Sequence, residues 1–345
     1  MSNNITFLLP IKDRFKFTKR FLNSFNNILD IPIIISDGSY SKDKHNEIVK
    51  IFKDNPNIIY KKFEFDKNYL TFLTKLKNSI ELVNTKYVAL VCDDDFYFLD
   101  QIKSAVRFLE QNPQYSMYKS GVKNFAIYSD ITNYFNYCIY GKLVLADDNY
   151  SSHDESITDE NVIDRFKRLQ DCYPYEGIFK TSILKKALEI SVFVKCFHHN
   201  IFIDILRYII FIYGKVYYNK KYLLLRQTNT PNSAGESHLE NFDKVKMKTS
   251  KNYFEIYKKI TIELEKLFLE KNNNKDFTPY KDQIFVNLNN EIKELKKNKI
   301  YKTNLKIRSK FISCLKNGFL NKNYISLKEN NEHDVINLIN KRINL

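Results

Sequence analysis

The chain has 345 residues, 43% hydrophobic and 28% charged, with a formal net charge of +15. That composition excludes a disordered polar chain and can bury a large core, enough for one large domain and a smaller one. No window reaches the roughly 18 uninterrupted apolar residues of a transmembrane helix. The opening Met1-Ser2-Asn3-Asn4 lacks a signal-peptide pattern, and the five cysteines, without CxxC spacing, predict reduced thiols in a cytoplasmic protein and no zinc site.

Over the first hundred residues strand and helix signals alternate. Residues 5–9 read as a strand stopped by Pro10, and 15–25 as a helix carrying Phe17, Phe21, Leu22 and Phe25 on one face. Residues 33–35 form a second apolar strand, which enters the turn Ser36-Asp37-Gly38-Ser39. A helix over 44–53, a short strand over 58–60 and a helix over 70–83 follow. Residues 87–92 then run as a strand, apolar from Tyr87 to Val91, into Asp93-Asp94-Asp95. Strands separated by helices of this length predict βαβ units and a mostly parallel sheet. In such sheets ligands bind beyond the carboxyl ends of the strands, where the three carboxylates fall. Three adjacent like charges repel one another, and a hard divalent cation with oxygen ligands accounts for them better than a solvated turn does.

The middle of the chain mixes helices over 101–110, 162–169 and 182–190 with an all-round apolar helix over 201–213, which predicts burial against the sheet. Residues 216–218 and 222–225 read as strands, and 228–235 as a small polar loop. Helical patterns over 253–269, 283–296, 307–315 and 333–343 complete the chain. The positive charge is concentrated there: residues 241–345 hold 23 Lys and Arg against 12 Asp and Glu, and residues 1–240 hold 32 against 28. The pattern predicts a domain over 1–240 and a basic helical region over 241–345 that faces an anionic partner, such as a membrane surface or a polyanionic acceptor.

Taken in order, these pieces resemble the family 2 glycosyltransferases of the GT-A fold, bacterial enzymes that move a sugar from a nucleotide donor. The resemblance covers roughly residues 4–230, with Pro10, Asp37 and Asp93 about 27 and 56 residues apart. It implies a nucleotide pocket lined by Pro10, Asp13, Arg14, Asp37, Gly38, Ser39, Asn78, Asp93 and Asp94. It also implies a metal, Mn²⁺ or Mg²⁺, on Asp95 and Asp93, with His238 reaching it when the loop over 228–238 closes. The catalytic base falls on Asp204, which matches the family's late acidic motif, or on Glu176 of Tyr173-Pro174-Tyr175-Glu176-Gly177. The implied reaction is a metal-assisted, inverting single displacement. It takes a sugar from a nucleotide diphosphate, with UDP favoured, to a hydroxyl of a glycan or lipid-linked acceptor of capsule or lipooligosaccharide type. The implied setting is the cytoplasm, peripheral at the inner face of the membrane.

Two other readings stay open. A sugar nucleotidyltransferase would need a Gly-rich loop after the first strand, and Leu9-Pro10-Ile11-Lys12-Asp13-Arg14 has no glycine. A non-catalytic anion- or nucleic-acid-binding protein would suit the basic C-terminal third, but the chain carries no recognisable nucleic-acid motif and its acidic strand tip would repel phosphates.

Overall fold

A computed structural model describes residues 4–25, 31–40, 49–50, 52, 55–128, 138–145, 155–230, 250–272, 276–302, 325–328 and 331–343. The predicted helix over 307–315, most of that over 44–53 and most of the 228–238 loop, His238 included, lie outside them. In chain order the first elements are β1 (Ile5–Ile11), α1 (Phe15–Asn23), β2 (Ile33–Asp37), β3 (Ile58–Lys62), α2 (Tyr69–Ile80), β4 (Tyr87–Leu90), β5 (Phe96–Tyr97) and α3 (Leu99–Gln111). The second half supplies β6 (Tyr115–Tyr128), β7 (Gly141–Leu145), α4 (Val162–Lys167), β8 (Gly177–Lys180), α5 (Thr181–Phe193), α6 (His199–Tyr213) and β9 (Lys215–Gln227). It ends with α7 (Lys251–Lys271), α8 (Thr278–Lys302), β10 (Ile325–Leu327) and α9 (Glu332–Ile343).

Among the described residues all the strands join one mixed sheet, with the path β10-β7-β6-β8-β4-β1-β2-β3; β9 pairs with β6 and β5 with β9. The β3-β2-β1-β4 half is parallel, as the alternating sequence predicts. Beyond β4, strand β8 runs antiparallel to it, and β6 runs antiparallel to both β8 and β7. β1, β2 and β4 are buried along nearly their whole length, which is why they read as apolar runs rather than alternating ones. The chain lays β2 and β3 on one side of β1 and β4 on the other. The order therefore reverses at β1, and a crevice opens between the carboxyl ends of β1 and β4.

Helices cover the sheet. α2 starts at a reciprocal capping box: the Asn68 side chain accepts from the Thr71 N–H at 2.9 Å, and the Thr71 hydroxyl accepts from the Asn68 N–H at 3.1 Å. In α6 every residue from Ile201 to Ile212 is buried, the apolar ones in the core and Asp204 paired with Arg207. α7 packs its Tyr253, Ile256, Ile260 and Leu264 into the same core as α5 and α6. β10 pairs antiparallel with β7, and α9 packs Val335, Ile336 and Ile339 against Phe96, Phe98 and Phe125. The described part of residues 241–345 thus shares its cores with the first 240. No helix among the described residues is long and apolar enough to cross a membrane.

Candidate active site

At the carboxyl end of β2 the backbone turns through Asp37-Gly38-Ser39. The Asp37 carboxylate, 2% exposed, accepts from the Ser39 N–H at 2.7 Å and from the Tyr60 hydroxyl, with the Lys62 ammonium 3.6 Å away. Burial, then the bond to Asp37, pushes the Tyr60 phenol well up, so it stays a donor. Asp13 sits at φ 53°, a left-handed conformation that Asp tolerates better than most residues. The strain is held by the turn it faces: its N–H donates to the Ser39 hydroxyl at 2.7 Å, and its carboxylate accepts from the Tyr40 N–H at 3.0 Å. Gly38 is required by close approach, because a Cβ there would collide with the carboxylate of Asp66. Asp66 is itself buried and accepts from the Lys75 ammonium at 2.5 Å. Its second oxygen, Oδ1, is buried with no hydrogen-bond partner. Lys75 also donates to the Ile11 carbonyl, at 3.2 Å. One end of the crevice is thus lined by Asp37, Asp66 and Lys75, rimmed by the exposed ring of Tyr40 edge-on to Phe65.

The other end holds the acidic triplet. Arg14, just past β1, bridges its first two members, Nε to Asp93 at 3.2 Å and Nη2 to Asp94 at 2.8 Å. Desolvation works against the Arg14 charge, but Asp93 and Asp94 outweigh it and hold the guanidinium above its usual range. Asp93 also lies 3.5 Å from the Thr18 hydroxyl, and Asp94 accepts from the Thr230 hydroxyl at 2.9 Å. Asp95 accepts from the Gln227 N–H of β9 at 3.2 Å. Beneath them Arg20, fully buried between the rings of Phe17 and Phe96, donates to the carbonyls of Asp94 and Ile139, at 2.9 Å each. Burial is the largest influence on both outer carboxyls, and it pushes Asp93 up to about 7 and Asp95 up to about 8. Arg14 opposes the shift at Asp93. At Asp95 the charge of Asp94 adds to it and that of Arg226 opposes it. Buried carboxyls held this far above their ordinary range form a donor set that a cation would relieve. The ligand atoms of Cys92, Asp94 and Asp95 all lie within 4.8 Å of one another. Burial pushes the Cys92 thiol far up, so the hard donors of that group are Asp94 and Asp95.

Arg226, near the end of β9, joins the triplet to a fourth carboxylate. Its Nη1 donates to Glu176 at 3.1 Å, and its own charge is stabilised most by Asp95 and next by Glu176, against desolvation.

The geometry rearranges part of the expected site. Pro10, Asp13, Arg14, Asp37, Gly38, Ser39, Asp93, Asp94, Asp95 and Glu176 border the crevice or its supporting turns. Asn78 does not: it is exposed on the outer side of α2, while Lys75 and Ser79, one turn apart, point inward, Ser79 receiving the Ser36 hydroxyl at 2.6 Å. Asp93 and Asp94 both pair with Arg14, and each also faces a hydroxyl, Thr18 and Thr230 respectively; the ligand group that closes within 4.8 Å takes in Asp94 and Asp95 with Cys92. Asp204 is a buried core residue whose two oxygens are taken by Arg207 and Tyr257. His198 caps α6, accepting from the Asn200 N–H at 3.1 Å. The sequence reading missed Asp66, Lys75 and Arg20. A Lys on the otherwise apolar inner face of α2, and an Arg on that of α1, were the available signals.

Neither a family model nor a curated protein matches this chain. Solved structures do. Residues 1–349 of S. aureus TarS align at 12% identity and a TM-score of 0.54, over 89% of this chain and 76% of that one. The same portion in complex with UDP-GlcNAc gives 13% and 0.55 over 89% and 77%. With UDP it gives 13% and 0.53 over 89% and 76%. A longer TarS structure aligns over 83% of this chain but 43% of its own, at a TM-score of 0.51. At these identities the likeness establishes the architecture: a mixed α/β, GT-A-like fold.

Proposed function

We propose that the protein is a glycosyltransferase that moves a sugar from a uridine diphosphate donor to a hydroxyl of a surface glycan of capsule or lipooligosaccharide type, by inverting single displacement. The observation that carries this reading is the convergence in one crevice of a polar pocket (Asp37, Asp66, Lys75), an acidic strand tip and a carboxylate–arginine pair. The structural neighbours in complex with UDP-GlcNAc and UDP support it, since a chain of the same architecture holds a uridine nucleotide sugar.

Asp37 and Asp66 suit the N–H of a pyrimidine base, and the Lys75 and Lys12 ammoniums suit the adjoining hydroxyls and phosphates. Asp94 and Asp95 would hold a Mn²⁺ or Mg²⁺ ion, which supplies charge neutralisation for the departing diphosphate. Arg14 and Arg20 hold the loop that carries them. Glu176 is the general base: it removes the acceptor hydroxyl proton as that oxygen attacks the anomeric carbon, and Arg226 fixes the carboxylate's orientation. The basic C-terminal region would favour an anionic acceptor or membrane surface.

The test is thermal stabilisation by nucleoside diphosphates and nucleotide sugars, with and without Mn²⁺, for the native chain, Asp95→Asn and Glu176→Gln. A Mn²⁺-dependent shift with uridine nucleotides that Asp95→Asn loses and Glu176→Gln keeps is expected. Turnover of Glu176→Gln should fall about 10²–10⁴-fold. Absence of any nucleotide-dependent shift would refute the donor site, and undiminished Glu176→Gln turnover would refute the base.

A further inference from the structure

Asp204 and its neighbours lie outside the proposed chemical step, yet they form a connected buried polar network that holds the segment preceding Glu176. Asp204 Oδ1 accepts from Arg207 Nη1 at 3.2 Å, one turn along α6, and Oδ2 accepts from the Tyr257 hydroxyl of α7 at 2.5 Å. The Tyr253 hydroxyl donates in turn to that of Tyr257 at 3.2 Å. Arg207 is thereby aimed away from its own helix. Its Nε donates to the Cys172 carbonyl at 2.6 Å, and its guanidinium lies 5.4 Å from the centre of the Tyr173 ring. Lys119 of β6 reaches the same segment from the sheet, donating to the Asp171 carbonyl at 3.3 Å with its ammonium 5.3 Å from the same ring. Two successive carbonyls and the ring that follows them are held by two buried cations.

Glu176 comes three residues after Tyr173, at the end of the turn Pro174–Glu176, where its N–H donates to the Tyr173 carbonyl at 3.1 Å. Its place is therefore set by where Tyr173 is held. An apolar replacement of a buried ion pair is often as stable as the pair, so stability alone does not explain Asp204 and Arg207. Direction does. A planar guanidinium can donate to a carboxylate on one side and a carbonyl on the other, which an ammonium cannot do in a fixed geometry.

We propose that Arg207, locked by Asp204 and Tyr257, is a positioning residue that fixes the 171–176 segment and so sets the place of the Glu176 carboxylate. This rests on the reading of Glu176 as the base. It gives α7 a role in catalysis without contact with substrate.

The test compares Arg207→Lys and Tyr257→Phe, each alone and each combined with Glu176→Gln, by kcat, donor KM, UDP binding and melting temperature. Because a misplacement of about 1 Å costs about 10²-fold, Arg207→Lys should lower kcat by that order and the milder Tyr257→Phe by about tenfold. Donor KM and UDP affinity should stay within about twofold, as expected when only a transition-state interaction is lost. Both losses should vanish in the Glu176→Gln background. Losses of equal size in that background would overturn the proposal, as would unchanged kcat or a rise confined to KM. Failure of the base assignment shows separately, as wild-type kcat in Glu176→Gln alone. Should Arg207→Lys not fold, Tyr257→Phe keeps the ion pair and decides the matter by the same comparison.

Discussion

Replacing Lys75 by methionine isolates the buried pair beneath the Asp37-Gly38-Ser39 turn. The Lys75 ammonium and the Asp66 carboxylate are 2.5 Å apart, each side chain 2% exposed, and the remaining Asp66 oxygen already lacks a partner. Removing the cation leaves a buried carboxylate with no compensation, which costs about 3–5 kcal/mol. At roughly 2 °C per kcal/mol for a chain of this size, the melting temperature should fall by about 6–10 °C near pH 8. The loss should depend on pH in one direction. Burial raises the Asp66 carboxyl, and Lys75 pulls it back. Without Lys75 the folded-state pKa rises further above the unfolded one. The stability is then intact below about pH 4 and lost as pH rises through the folded value. Thermal scans from about pH 4.5 to 8 should show the deficit opening with pH, and Asp66→Asn combined with Lys75→Met should recover most of it while failing to bind UDP. A deficit that is flat across this range, or that widens toward acid, would refute the reasoning.

The acidic triplet makes a related prediction. With Asp93 held up to about 7 and Asp95 up to about 8, the metal-free protein should lose stability as pH rises from the ordinary carboxylate range through those values, and millimolar Mn²⁺ should restore it; scanning fluorimetry with and without EDTA measures both. Gly38→Ala should displace Asp66 and abolish stabilisation by uridine nucleotides, read by calorimetric titration. Asn78→Ala, on the exposed side of α2, should leave nucleotide affinity within about twofold in the same titration, as a surface substitution does. Deleting residues 325–345 uncovers Phe96, Phe98 and Phe125 and should cause aggregation or a lowered melting temperature rather than a folded catalytic core, as size-exclusion chromatography would show.

The parallel half of the fold was legible because β1, β2 and β4 are buried along nearly their whole length. Phe7 to Leu9, Ile33 to Ile35 and Tyr87 to Val91 declare themselves as apolar runs, and each ends in a polar cluster that the sheet brings into one crevice. The second half hid its strands. β6 spans 14 residues but carries Lys119 and Lys123 on the face between Met117 and Phe125, so its alternation breaks where the crevice needs charge. Its partner β9 accommodates register shifts opposite Ser120 and Gly121, which split one strand into two apparent ones at 216–218 and 222–225. Asp204 was misplaced for a physical reason as well. A carboxylate near the start of an apolar helix looks alike whether it faces a cleft or a partner helix, and the partner here, Tyr257, lies 53 residues away. Lys75 was missed because a lone lysine among helical apolar positions reads as a snorkelling surface residue until its acid appears.

The described part of the C-terminal region is packed into the main body of the fold. β10 extends the sheet beside β7, and α9 closes a core whose first member, Phe96, directly follows Asp95. His333 Nδ1 of α9 lies 3.1 Å from the Ser24 carbonyl at the end of α1, the helix that carries Arg20. On the opposite side, α7 supplies the Tyr257 that locks Asp204 and Arg207. Elements after residue 240 therefore brace the acid triplet from one side and the Glu176 turn from the other. A basic tether would only raise the local concentration of an anionic partner, with an effect that fades over a Debye length of about 10 Å. Under the proposed function, basic residues on the described braces would orient the crevice relative to an anionic partner as well as concentrate it.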